Sequence, residues 1–458
     1  LTAAAGARQA IDAEYRARTS CSAALHEQAR PIIPGGVTRS VTFYEPYPVW
    51  VASGRGSHLT DVDGNRYLDY LNNFGSMIHG HARPEVVAAI RDQVGNGMDF
   101  GAPTELQLAL ARAMAARTPS IERIRFTSSG TEAILYAVRA ARAFAAKPKI
   151  LKMEGSYHGG YDSVTVSVDP GANAPAWPQG KLGSRGLSPA AGSETLVAPF
   201  NDLESTASII RAHRNELAAV IVEPVTVRGM IAADAAFLHG LRVVTRESGV
   251  LLIFDEVVTF RLAPGGAQEL FGMSPDLTTF GKLIGGGLPV GAFGGRGDIM
   301  DGFDLSRPEP LHHSGTFAGS SAAMAAGLAT LKLFTRAEGN RINALGDRLR
   351  EGLRSRLDSL GVRAQVTGLG SLVGLHFSDQ PVRDYRSGLK SNREAMHWLH
   401  LALLNRGVFA RSTGSFFLST AMTEPEVDET AEAFGDALAA VQAIIEEQPL
   451  SSEARLTL

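Results

Sequence analysis

The sequence predicts an α/β protein: a mostly parallel central sheet covered on both faces, joined to a smaller α+β part. Two observations carry this. Short apolar runs recur at 124–126, 150–153, 196–198, 218–222, 250–254 and 291–294, and the stretches between them, such as 131–146 and Ala235–Glu247, have helical composition. After about Phe334 the pattern changes to a helix at 340–360, strands at 371–377 and 416–419, and a last helix over Glu424–Glu447.

The elements follow in chain order. Residues 3–30 read as one helix that stops before the turn Pro34-Gly35-Gly36. Residues 49–70 alternate around the turn Asp63-Gly64-Asn65, which predicts a small antiparallel ribbon. Residues 169–194, rich in Pro, Gly, Ser and Ala, show no period and are expected to form a long functional or mobile loop. Residues 448–458 read as a frayed tail. The expected division is an N-terminal segment over 1–70, a large domain over 71–334 and a small domain over 335–458.

Composition narrows the function. The 458 residues include 44% hydrophobic and 20% charged side chains, which argues against wholesale disorder. A net charge of -3 gives no reason to expect nucleic acid or an anionic membrane as a partner. Cys21 is the single cysteine, so no intrachain disulfide and no cysteine-built metal site can form. The histidines, among them His79, His81, His312 and His313, lack metal-site spacing and are expected to be structural or supporting, so no metal is expected. No apolar run reaches about 18 residues. The first residues carry Arg8, Asp12 and Glu14 where a signal peptide needs an apolar centre. A cytoplasmic location is the expectation.

Four short stretches carry chemistry. In Phe280-Gly281-Lys282, followed by Gly285-Gly286-Gly287, a lysine directly follows an apolar strand between glycines. Burial there would weaken its preference for the charged form and make it a Schiff-base former; a solvated loop lysine is the alternative. In 250–254 followed by Asp255-Glu256-Val257, an acid pair follows a buried strand. A carboxylate at a strand's carboxyl end can hold a ring nitrogen protonated, or it can be a solvated strand end. Ser128-Ser129-Gly130-Thr131-Glu132 opens a helix with capping-box spacing. It is a helix cap and also a set of amides and hydroxyls fit for a phosphate. Gly155-Ser156-Tyr157-His158-Gly159-Gly160 follows a strand, and Tyr157 is either a stacking ring or part of a surface turn. Together these give a phosphate cradle, a stacking ring, a carboxylate and an amine, all at strand ends of one sheet. That set matches pyridoxal 5'-phosphate.

Longer strings make a family resemblance. They are Asp61-Val62-Asp63-Gly64-Asn65-Arg66-Tyr67-Leu68-Asp69-Tyr70, Ser129-Gly130-Thr131-Glu132-Ala133, and the run from Asp255 through Pro275-Asp276-Leu277 and Gly281-Lys282 to Gly291-Ala292-Phe293-Gly294-Gly295-Arg296. Over 34–435 the chain resembles the class III, fold type I, pyridoxal-phosphate aminotransferases, and within them the glutamate-1-semialdehyde aminomutase and β-amino-acid aminotransferase branch. The resemblance implies that residues 1–70 join the C-terminal small domain. It implies Lys282 as Schiff-base lysine and proton carrier, Asp255 on the pyridine nitrogen, Tyr157 and Val257 on the two ring faces, and Ser129, Gly130 and Thr131 on the phosphate. His158 and Glu223 are placed close to the cofactor. Thr316 is implied to reach the phosphate of a second subunit, which requires a homodimer with shared sites.

For substrate, Arg39 in Arg39-Ser40-Val41-Thr42-Phe43-Tyr44 resembles the carboxylate-binding arginine of the β-amino-acid branch, and Arg411 is a second candidate, offset from the slot that Thr413 fills. Phe43, Tyr44 and Tyr47 either line an apolar pocket or pack the N-terminal helix. Thr226 stands where many relatives have a glutamine near the cofactor, and residues 169–194 lack the aminomutase loop pattern. The expectation is an aminotransferase moving an amino group from a β-amino acid or similar amine to a keto acid, with a glutamate-1-semialdehyde-type aminomutase as the alternative.

Overall fold

The computed structural model describes residues 2–447, and the expected tail at 448–458 lies outside them. The expected helix over 3–30 is two helices, Ala3–Arg18 and Ser20–Ala29. The break falls at Thr19, whose hydroxyl donates to the Tyr15 carbonyl at 2.6 Å. Asp63, from the Asp63-Gly64-Asn65 turn, then accepts the Cys21 and Ser22 amides at 2.6 and 3.0 Å, so the second helix starts with its first donors satisfied. The ribbon consists of β1 (Val51–Arg55), β2 (His58–Asp61) and β3 (Arg66–Asp69), paired antiparallel.

The next strands are β4 (Arg123–Thr127), β5 (Lys149–Met153), β6 (Thr195–Ala198), β7 (Leu217–Val222), the short pair β8 (Val225–Thr226) and β9 (Ile231–Ala232), β10 (Leu251–Asp255), β11 (Leu277–Gly281) and β12 (Gly291–Gly295). Seven of them form the central sheet in the order β4-β12-β11-β10-β7-β5-β6. β12 alone runs opposite to the other six. All six residues of β7 are buried, as a strand covered on both faces requires. One covering helix is Gly130–Ala145, which lays Ala133, Ile134, Ala137, Val138 and Ala141 on the sheet. On the opposite face Ala235–Glu247 buries Phe237, Leu238 and Leu241. The parallel strands therefore bring their carboxyl ends to one edge, where open α/β sheets bind ligands.

The C-terminal part adds β13 (Gln365–Leu369), β14 (Leu372–His376), β15 (Val408–Phe409) and β16 (Ser415–Phe417). β13, β14 and β16 form an antiparallel sheet. β15 pairs parallel to β3 and so adds a fourth, non-local strand to the N-terminal ribbon. Ile11 and Tyr15 share one core with Leu349, Leu401, Phe434 and Val441 of the C-terminal helices. Residues 169–194 contain a helix, Pro189–Glu194, and are tied down. Asp169 takes the Tyr385 hydroxyl and pairs with Arg228 at 2.9 Å, while Arg386 lies 4.1 Å over the Trp177 ring. Among the described residues no helix is long and apolar enough to cross a membrane.

Candidate active site

At the carboxyl edge of the sheet lies a cavity of about 540 Å³. Ser129, Gly130, Thr131, Tyr157, His158, Glu223, Asp255, Val257, Lys282 and Arg39 all line it. All but Arg39, which precedes β1, arrive from the ends of five strands, β4, β5, β7, β10 and β11. β4 ends in the Ser129 cap, whose hydroxyl accepts the Glu132 amide at 3.2 Å, and the helix behind it presents its free amides to the cavity. Gly159, at φ +90°, lets the loop after β5 close on this cradle: a Cβ there would meet the Thr131 hydroxyl at 2.4 Å. A Cβ at Gly130 would come within 3.2 Å of the Val257 methyls.

β10 carries Asp255 into the cavity floor, 5% exposed. Its Oδ2 lies 2.8 Å from His158 Nδ1, and its Oδ1 accepts the Val257 amide at 3.0 Å. Burial pushes His158 below the ordinary histidine range, which keeps the ring neutral and lets Nδ1–H donate to Asp255. Its Nε2 is buried without a partner among the described residues. Glu223, after β7, accepts the Tyr157 amide at 3.0 Å and the Val227 amide at 2.9 Å. Burial, with Asp255 adding, pushes its carboxyl up. Tyr157 is 46% exposed, an open aromatic face beside the buried His158, Glu223 and Asp255.

Lys282 follows β11 directly and sits at φ +50°. A non-glycine residue there costs about 1–3 kcal/mol, and such strain concentrates at functional positions. Burial pushes its amine below the ordinary lysine range, with Asp255 and Glu223 opposing. Among the described residues its Nζ makes no hydrogen bond. An amine free in the cavity, a carboxylate on the floor, an uncovered ring on the wall and a helix N-terminus at one end fit pyridoxal phosphate.

Four residues fall elsewhere. Thr316 is exposed and does not line this cavity. Thr226 turns away, its hydroxyl donating to the Arg228 carbonyl within the β8–β9 hairpin. Arg411 lines an adjoining cavity of about 340 Å³, which shares Arg39 and Asn73 with the first and is otherwise walled by groups such as Val41, Tyr44, Val49, Leu71 and Phe409. Thr413 does not line either cavity. Of the aromatic candidates, Tyr44 lines this second cavity, Tyr47 is core and Phe43 is exposed.

Sequence reasoning missed Asn73 and Phe74. Asn73 Oδ1 accepts Arg39 Nη1 at 2.9 Å, and the Phe74 ring lies under both arginines. The available signal was Asn72-Asn73 just after β3, a residue type that tolerates left-handed backbone. Among the described residues no group of three or more His, Cys, Asp or Glu is placed to hold a metal.

This geometry belongs to an amino-group-transferring enzyme that works through pyridoxal phosphate. The class III aminotransferase family model matches residues 42–438, and the chain belongs to that family. It is 41% identical over 435 residues to a glutamate-1-semialdehyde 2,1-aminomutase of Roseiflexus castenholzii, covering 93% of this chain and 98% of that protein. Three solved structures are similar. An ω-transaminase from Sphaerobacter thermophilus is 42% identical with TM-score 0.90, covering 93% of this chain and 99% of that one. A transaminase with pyridoxal phosphate bound is 40% identical with TM-score 0.87 over the same shares. A β-phenylalanine aminotransferase from Variovorax paradoxus is 35% identical with TM-score 0.87, covering 96% and 99%.

Proposed function

We propose that this aminotransferase takes its amino group from a β-amino acid with an apolar side chain and passes it to a keto acid. One observation carries the reading. Arg39 and Arg411 flank the place where the cofactor cavity meets a second, largely apolar cavity of about 340 Å³. A carboxylate can meet a guanidinium there while an apolar group fills the space beyond. Glutamate-1-semialdehyde has no apolar group to fill it. The aminomutase reading keeps its own support in the 41% identity to the Roseiflexus protein.

The residues divide the work. Bound pyridoxal phosphate supplies an aldehyde that takes up the amino group and a ring that stabilises negative charge. Ser129, Gly130 and Thr131 hold its phosphate through the helix amides and hydroxyls. Tyr157 and Val257 would cover the two faces of its ring. Asp255, oriented by His158, would hold the ring nitrogen's proton. Glu223 fixes the Tyr157 and Val227 backbone around the site. The Lys282 amine, whose preference for the charged form burial weakens, would anchor the aldehyde and carry the substrate proton. The exposure of Thr316, away from its own cavity, supports the reading that it serves a second subunit of a homodimer with shared sites. One exposed cysteine and no disulfide suit a reducing cytoplasm.

The test follows products with and without a keto acid. A β-amino acid is converted catalytically only when 2-oxoglutarate or pyruvate is added. Turnover of glutamate-1-semialdehyde without any acceptor, with β-amino acids inert, would replace this reading by the aminomutase.

A further inference from the structure

Between β3 and the first helix of the large part, Asn72, Asn73 and Phe74 lie in succession at φ +46°, +47° and +57°, with Gly75 at +83°. Asparagine tolerates this region; phenylalanine is an outlier in it. The turn is held from all sides. Asp69 Oδ1 accepts the Leu71 and Asn72 amides at 2.8 and 2.9 Å. The Asn72 side chain donates to the Asp69 and Phe417 carbonyls at 2.8 and 2.7 Å. Buried Arg261 reaches the Gly75 carbonyl, and a Cβ at Gly75 would collide with the Phe417 ring at 2.7 Å. Strain kept in place by this many contacts points to a task for the side chains it aims.

What it aims is the Phe74 ring. Arg39 Cζ lies 5.3 Å from the ring centroid and Arg411 Cζ 5.8 Å. Both guanidiniums are within cation–π reach of the same ring. Each is otherwise weakly held. Arg39 gives one hydrogen bond to Asn73 and Arg411 one to the Val227 carbonyl at 3.2 Å. Neither has an ion pair among the described residues, so most of their donors stay available. Arg411 is also repelled by Arg228, and burial pushes it down to about 10. Without a fixed support, two like charges at one mouth would swing apart into solvent.

We propose that Phe74 is a positioning residue: its ring, aimed by the left-handed turn, holds Arg39 and Arg411 as one preorganised pair for a substrate carboxylate. The proposal rests on the carboxylate reading given above. It gives the site a selectivity, since an amine with no carboxylate draws nothing from the pair. Preorganisation also lets donor and acceptor carboxylates use the same two arginines in turn.

The test uses the cofactor-loaded enzyme and a carboxylate that cannot react, 3-phenylpropionate, titrated by calorimetry, beside steady-state kinetics. Phe74→Leu is expected to raise the Kd for 3-phenylpropionate and the KM for a β-amino acid about tenfold, with kcat within about twofold. The KM for 1-phenylethylamine, which has no carboxylate, stays the same. Phe74→Tyr, which keeps a ring, restores wild-type values. Phe74→Met serves the same purpose should the leucine variant fail to fold. An unchanged Kd in the ring-less variants overturns the proposal, as does an equal rise in KM for acids and simple amines. If the wild type itself binds 3-phenylpropionate no better than 3-phenylpropanol, the carboxylate reading fails and the proposal falls with it.

Discussion

His158 Nδ1 sits 2.8 Å from Asp255 Oδ2 on the floor of the cofactor cavity. The imidazole is held neutral by burial, so it donates to Asp255 without neutralising it as a cation would. The carboxylate keeps its other oxygen on the Val257 amide. The pair is therefore an orienting device for the acid proposed to meet the cofactor's ring nitrogen.

Replacing that acid removes the charge that holds the ring proton. Asp255→Ala is expected to lower kcat by about 100-fold or more and to let cofactor wash out on dialysis. His158→Asn has a milder effect, about tenfold faster cofactor loss, because Asp255 stays but loses its fixed direction. Absorbance of retained cofactor and single-turnover rates check both.

Lys282→Ala removes both the anchor and the proton carrier. Its expected outcome is at least a 10³-fold loss of amino transfer, about what a positioned acid–base group contributes. Since φ +50° is strained for any side chain, Lys282→Gly is expected to melt higher than Lys282→Ala. Calorimetric melting of the two variants reads that difference.

Arg39→Ala and Arg411→Ala should each raise KM for carboxylate-bearing donors by about 10- to 100-fold, the weight of a charge-assisted hydrogen bond. Simple amines should be unaffected. Equal effects on both classes of donor would show that the arginines are structural.

Lys152, on β5, is buried, and among the described residues only the Met153 and Val166 carbonyls are its partners, at 3.2 and 2.9 Å. Burial pushes its amine down to about 7. In the unfolded chain the same amine stays protonated up to its ordinary value near 10.4. Between those limits the unfolded state holds more protons, so stability rises with pH through the window. The slope attributable to this group approaches about 1.4 kcal/mol per pH unit. Urea unfolding from pH 7 to 9.5 should show that rise, and Lys152→Met should flatten it.

Much of this was legible because local patterns carried it. β7 and β10 are continuous apolar runs, as buried parallel strands must be, and the glycines around Lys282 mark a close approach. The Ser129 cap reads the same way in sequence and in structure. What escaped depends on distant partners. Nothing local shows that Val408–Phe409 pairs with β3, or that Asp63 reaches back to cap Ser20–Ala29 and split the expected single helix. Arg411 looked offset from its expected slot, yet Thr413 lines neither cavity while Arg411 does. Phe74 carries no polar group and gave no chemical signal; its importance lies in a left-handed backbone that only the folded chain reveals.

The most direct measurement is the absorbance of the cofactor-loaded protein as single amino donors are added without acceptor. An aromatic or aliphatic β-amino acid alone is expected to discharge the visible cofactor band, and adding a keto acid to restore it. A band that persists with every β-amino acid but is discharged by glutamate-1-semialdehyde would contradict it.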